Sequence, residues 1–117
     1  MTEHPIPRLG TNPRLSAVSC YAGFAFLSGQ TCSEPFGDVQ DETAKLLSKI
    51  DGLLANAGSA RDRLLHATIH LSDLRHYDAF NTAWDQWIDP SSVPSRTCVQ
   101  ALLPRKECRV EITIIAT

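Results

Sequence analysis

The sequence predicts an α+β domain in which two helices pack on one face of a mixed sheet, in the order β-β-α-β-α-β-β. Three observations carry this. Two stretches, Val39 to Ala57 and Tyr77 to Ile88, repeat apolar residues at helical spacing. Short runs rich in β-branched and aromatic residues flank and separate them. The chain has 117 residues, no internal repeat and no long linker, so one domain over 1–117 is expected.

Each element has its own signal. Residues 1–13 are rich in Pro, Gly and Asn and predict a loosely ordered arm. Ala17–Tyr21 and Phe24–Ser28 read as strands around a turn at Ala22-Gly23. Cys32–Gly37, with Pro35 and Gly37, reads as a loop. Asp38 is a good N-cap for the first helix, and Asp41 and Glu42 fall where the helix dipole favours anions. Val39, Leu46, Leu47, Ile50, Leu53, Leu54 and Ala57 form its apolar stripe, and Gly58 suits the C′ position. In "RLLHATIHLSD", Leu65, Ala67, Ile69 and Leu71 alternate with His66, Thr68 and His70, as on a strand with one buried face. Ser72 or Asp73 can cap the second helix, whose apolar positions are Tyr77, Phe80, Trp84, Trp87 and Ile88, with Pro90 past its end. Ser95–Leu102 and Cys108–Ala116 complete the strands.

The last strand is apolar on both sides, with Val110, Ile112 and Ile114 on one and Ile115 on the other. Helices can cover only one face, so a partner subunit is expected on the second, making a homo-oligomer.

Composition excludes several classes. The formal net charge is −2, with no basic stretch, which gives no footprint for nucleic acid or an anionic membrane. No window is long and apolar enough to span a bilayer, and the N-terminus lacks an apolar run, so a cytoplasmic protein is expected. Cys20, Cys32, Cys98 and Cys108 form no CxxC pair and no zinc pattern, and are expected to be free thiols.

The chemistry concentrates near the C-terminus. Arg96, Cys98 and Gln100 share one strand face, and Arg109, Glu111 and Thr113 share another. A hairpin through Leu103–Lys106, centred on Pro104 and Arg105, predicts Cys98 opposite Glu111 and Arg96 opposite Thr113. Directly opposite Cβ atoms lie roughly 5 Å apart, so Arg96, Cys98 and Glu111 would form one patch. A slip of one residue would send Glu111 to the other face. Two readings stay open at this point. One is a half-exposed hairpin carrying an ordinary Arg–Glu surface pair. The other is an anion site, in which Arg96 grips a planar carboxylate and Glu111 orients a water or moves a proton. Cys98 does not read as a nucleophile, because no histidine or helix N-terminus is placed to activate it. His66 and His70 read as structural or solvated, and Trp84 and Trp87 as core.

The motifs "VPSRTCVQALLP" and "RVEITIIA", with "LSGQ" upstream and "DLRHYDAFNTAWDQW" between, resemble the Rid (YjgF) family of reactive-intermediate deaminases. The match runs from about Arg14 to the C-terminus, and the W-D-x-W pair is most similar to the YoaB-like subgroup. The resemblance implies a chorismate-mutase-like fold and a barrel-shaped homotrimer with sites in the clefts between subunits. It implies a cofactor-independent, metal-free hydrolase that converts 2-imino or 2-enamino acids, of the 2-iminobutanoate and 2-iminopropanoate type, to 2-oxo acids and ammonia. It places Arg96 on the substrate carboxylate and Glu111 on the water, with Cys98 in the pocket wall. Asn81 falls near the site, and Ser28 and Gly29 on the strand-end pair whose backbone approaches the ligand. Leu15 stands where many members carry an aromatic over the substrate. Two alternatives remain. One is a non-catalytic trimeric binder of small carboxylates. The other is a ribonuclease, which the missing basic groove and metal site disfavour.

Overall fold

The computed structural model describes residues 4–34 and 37–117. Seven strands form one mixed sheet: β1 (Arg8–Thr11), β2 (Ser16–Tyr21), β3 (Phe24–Leu27), β4 (Gln30–Thr31), β5 (Leu64–Leu71), β6 (Ser95–Gln100) and β7 (Val110–Ala116). The strand order is β1-β2-β3-β7-β5-β6, with β4 also paired to β7. Two helices, α1 (Val39–Asn56) and α2 (Tyr77–Trp87), cover one face.

Part of the expected arm is a strand. Arg8–Thr11 pair antiparallel with β2, Leu9 opposite Val18, so this part of the arm is the outermost strand. Its alternation is too short and too polar to stand out in sequence.

Helix α1 begins as its sequence indicates. Asp38 accepts the Asp41 amide while Asp41 accepts the Asp38 amide, a reciprocal capping box. It ends with Gly58 at φ 77°, Ser59 N–H donating to Leu54 O and Gly58 N–H to Ala55 O. That is the paired closure which a left-handed C′ glycine permits. The turn at Ala22-Gly23 also has positive φ at both residues, as a two-residue hairpin requires.

The core lies between the helices and the inner face of the sheet. Ile69, Leu71, Val110, Ile112 and Ile114 meet Leu46, Leu47, Ile50, Leu54 and Phe80, all fully buried. On β5 a register shift between Leu64 and His66 turns Leu65 outward and buries Leu64 in its place. Among the described residues no helix covers the outer face. Phe24, Phe26 and Val99 stand there more than 40 % exposed, Phe26 directly beside Ile115. This is the apolar second face anticipated from β7.

Two expectations are corrected by the tertiary structure. The C-terminal hairpin does not form. β6 pairs with β5, in parallel, and β5 lies between β6 and β7. The reason is topological: β5, α2 and β6 make a crossover, and a strand returning through a helix enters the sheet parallel to the one it left. The cysteines are also not all free. Cys32 and Cys108 are disulfide-bonded, while Cys20 and Cys98 remain free. The pair joins the segment after β4 to the entry of β7 across 76 residues of sequence. Sequence spacing cannot reveal such a pairing, since connectivity follows from the fold. Arg105 reinforces the junction by donating to Cys32 O and Ser33 O at 2.9 Å each.

A buried acid sits beside it. Glu42 has no exposed side-chain surface and accepts from Arg109 Nε, Arg109 N–H and Val110 N–H, at 2.8, 2.8 and 3.1 Å. It fixes α1 to the start of β7.

Among the described residues no helix is long and apolar enough to cross a membrane, and no cluster of His, Cys, Asp and Glu could hold a metal ion.

Candidate active site

The corrected strand order decides which predicted residues meet. Paired residues share a sheet face. Ala67 pairs with Arg96 and Ile69 with Cys98, placing Arg96 and Cys98 on the helix-covered face. His70 pairs with both Val99 and Glu111, placing Glu111 on the outer face. The expected patch of Arg96, Cys98 and Glu111 therefore does not exist within one subunit. It divides into two halves.

The first half lies where edge strand β6 meets α2. Tyr77, Phe80 and Trp84 recur at helical spacing and turn their rings toward β6. Arg96 Cζ rests 5.8, 5.6 and 5.5 Å from their three ring centroids. An arginine stacks well on such a surface, because its flat cation meets the negative ring faces. Its one hydrogen bond among the described residues is from Nη2 to the Tyr77 hydroxyl, at 3.3 Å. The remaining donors of the guanidinium are left to other acceptors.

Arg96, Cys98, Leu74 and Tyr77 line an open cavity of about 430 Å³. Its rim is held in place. Leu74 N–H donates to Gln100 Oε1 at 2.9 Å, which ties the turn before α2 to the end of β6. Asp73 caps the 3₁₀ turn Leu74–His76, and hydrogen bonds from Arg75 hold its carboxyl down to about 2. Burial pushes the Cys98 thiol up, and the nearby Arg96 offsets this only in part. The thiol therefore stays protonated beyond the usual cysteine range, as suits a wall and not a nucleophile. Asn81 lies on α2, and its buried Oδ1 has no hydrogen-bond partner among the described residues.

The second half lies on the outer face around β7. Glu111 pairs with Thr31 of β4 and with His70 of β5. Gly29 is pressed against it: a Cβ built on Gly29 would stand 2.8 Å from Glu111 Cδ. Any larger residue there would push the Glu111 side chain out of its present position. Ser28 precedes it, and its carbonyl and hydroxyl both accept from the Gln30 amide. Ser28, Gly29 and Glu111 are thus together.

Leu15 belongs to neither half. It stands half-exposed just before β2, on the β1–β2 side of the sheet, whereas β6 is the opposite edge.

Sequence reasoning passed over two residues. Tyr77, an apolar position of the second helix in the sequence reading, is 42 % exposed and touches Arg96 through its hydroxyl. His70 was read as structural or solvated, yet its Nδ1 is 2.9 Å from Glu111 Oε1. Neither pairing could be found without the correct strand neighbours. His66, by contrast, bonds Ser95 Oγ at 2.8 Å.

A second cavity of similar volume lies under Cys32, Ser33 and Glu34 beside α1. It shares no lining residue with the Arg96 cavity.

Comparison with known proteins points one way. The model of the family described as Endoribonuclease L-PSP matches residues 7–117. A RutC family protein of Haemophilus influenzae is 40% identical over 113 residues, which cover 96% of this chain and 97% of that one. The RutC family protein YoaB of Escherichia coli is 40% identical over 79 residues, 68% of this chain and 69% of its own. The crystal structure of NMB1025 from Neisseria meningitidis, a member of the YjgF protein family, superposes with a TM-score of 0.93 at 39% identity, covering 97% of this chain and 94% of that one. A more distant match, 28% identical over 81 residues, covers 68% of this chain and 63% of TdcF, a candidate reactive intermediate deaminase of Escherichia coli.

Proposed function

The chain belongs to the endoribonuclease L-PSP family, in its Rid/YjgF branch, and from that premise we propose that it hydrolyses 2-imino and 2-enamino acids to 2-oxo acids and ammonia. One observation carries the reading. Arg96 is laid on three aromatic rings at the wall of a cavity with most of its donors unspent. That is a seat for a small carboxylate, which a guanidinium can grip with two parallel hydrogen bonds. The name of TdcF, among the relatives, agrees with a deaminase acting on a reactive intermediate.

The reaction asks little of the protein, because imines hydrolyse in water unaided. Arg96 fixes the carboxylate, and the imine carbon is then held at a set distance from it. Glu111 serves at the water end. These two residues lie on opposite faces of one sheet, so a substrate touching both needs two subunits. The proposed assembly is a closed homotrimer whose outer sheet faces turn inward. The exposed Phe24, Phe26 and Val99 favour such burial. Each cleft then receives Arg96 with its aromatic bed from one copy, and Glu111 with Gly29 from the next.

An endoribonuclease, named in the family description, finds less support here. A net charge of −2 offers little to hold a phosphate backbone.

The test is a coupled assay with an amino-acid oxidase that generates the imine in place. Added protein is expected to speed release of 2-oxo acid and ammonia. Arg96→Ala is expected to abolish the gain while the trimer mass is unchanged. Full activity in Arg96→Ala would overturn the reading, and binding of 2-oxo acids without turnover of any imine would favour a carboxylate binder in its place.

A further inference from the structure

The carboxylate at the water end has a neighbour with chemistry of its own. His70 stands directly opposite Glu111 in the antiparallel β5–β7 pair, with Nδ1 2.9 Å from Oε1. Both side chains are largely shielded, at 30% and 21% exposed. A carboxylate has no hydrogen to give, so the shared hydrogen belongs to Nδ1. In the neutral ring, Nε2 then carries a bare lone pair. No hydrogen bond from a described residue reaches Nε2.

Glu111 is less free than its neighbour. Oε1 is taken by His70, and Oε2 faces Gly29, where an added Cβ would come within 2.9 Å. The carboxylate is wedged between an imidazole and the main chain, while the outer nitrogen of the imidazole is unengaged. In a carboxylate–imidazole pair of this kind, the carboxylate sets the tautomer and steadies the protonated ring, and the ring moves the proton.

We propose that His70 Nε2 is the base that takes the proton from the attacking water, and that Glu111 orients His70 for this task. The proposal rests on the deaminase reading above. The water oxygen bonds to the carbon of R–C(=NH₂⁺)–COO⁻, the C=N π pair moves onto nitrogen, and one water proton passes to Nε2. The imidazolium returns that proton to the amine of the resulting carbinolamine. The C–N bond then breaks with its electron pair leaving on ammonia, and the hydroxyl proton passes to Nε2 as C=O forms. Ammonia takes up this last proton and leaves as ammonium. One water is consumed, and the neutral ring is restored.

The experiment compares His70→Ala, His70→Asn, Glu111→Gln and Arg96→Ala in the oxidase-coupled assay, with assembly followed by light scattering. Loss of a general base predicts a fall in kcat of about 100-fold for His70→Ala, with KM within about threefold, because the carboxylate seat is elsewhere. Free imidazole added to His70→Ala is expected to restore part of the rate. His70→Asn keeps a donor for Glu111 but no base, and is expected to stay as slow as His70→Ala. Wild-type rates in His70→Asn would overturn the proposal by showing that only the hydrogen bond matters. Wild-type rates in His70→Ala, with Glu111→Gln and Arg96→Ala slow, would overturn it while leaving the deaminase reading standing. Wild-type rates in Arg96→Ala would remove that reading and the proposal together.

Discussion

Arg96 and Glu111 project from opposite faces of one sheet, with β5 between the strands that carry them. Neither can complete the other's chemistry inside one subunit. On the proposed reading the two halves meet across an interface between subunits, and this has a direct consequence for mixed assemblies.

Subunits carrying Arg96→Ala are expected to complement subunits carrying Glu111→Gln. Each homotrimer alone should be inactive. When the two are unfolded together and refolded at equal ratio, half the clefts receive an intact Arg96, and half of those an intact Glu111. About a quarter of wild-type activity should return. No recovery in the mixed assemblies would overturn the proposal that Arg96 and Glu111 act in one shared cleft.

Cys98 should react slowly with alkylating agents. Burial raises its thiol above the ordinary range, and Arg96 lowers it by less. The thiolate therefore accumulates only at a more alkaline pH than for an exposed cysteine, and iodoacetamide modification should accelerate there. A 2-oxo acid seated on Arg96 should slow it further, since both residues line one cavity. Mass spectrometry of the modified peptide checks both points. Fast labelling at neutral pH would contradict them.

Glu42 should be a stability residue. Its removal leaves Arg109 without its carboxylate partner and two backbone amides without acceptors. Breaking one side of a buried pair costs roughly 3–5 kcal/mol, so Glu42→Ala should shift the urea midpoint strongly. Glu42→Gln, which can still accept hydrogen bonds, should lose less. A change below about 1 kcal/mol in Glu42→Ala would contradict the ledger of unmet donors.

The Cys32–Cys108 bond should be worth about 2–4 kcal/mol, because it closes a long loop of the unfolded chain. Cys32→Ser with Cys108→Ser, or treatment with a reductant, should lower Tm by roughly 10 °C. The site elements of β6 and α2 lie outside this junction. Equal Tm with and without reductant would show that the bond adds no stability in solution.

Much of the fold was legible in the sequence for local reasons. Asp38 and Asp41 announce the start of α1, and Gly58 its end, because capping is decided within a few residues. Alternation along Val110–Ala116 marked the buried face and also the apolar surplus of the other. Other features had no local trace. Nothing in Arg8–Thr11 says which strand it will join, and nothing in the spacing of four cysteines says which two will bond.

The candidate site shows the same division. The sequence by itself determined the chemical types and which residues of each strand share a face: Arg96 with Cys98 and Gln100, and Glu111 with Arg109 and Thr113. Period-two geometry requires no partner to be known. Only the tertiary structure decided which strands lie side by side. The helix between β5 and β6 forces a parallel return, and that inserts β5 between Arg96 and Glu111. The same insertion brings His70 to Glu111, and it seats Arg96 on the rings of α2. Pairing across a sheet is a long-range choice, settled by how helices and strands can close around one core, and the alternation within a strand does not encode it.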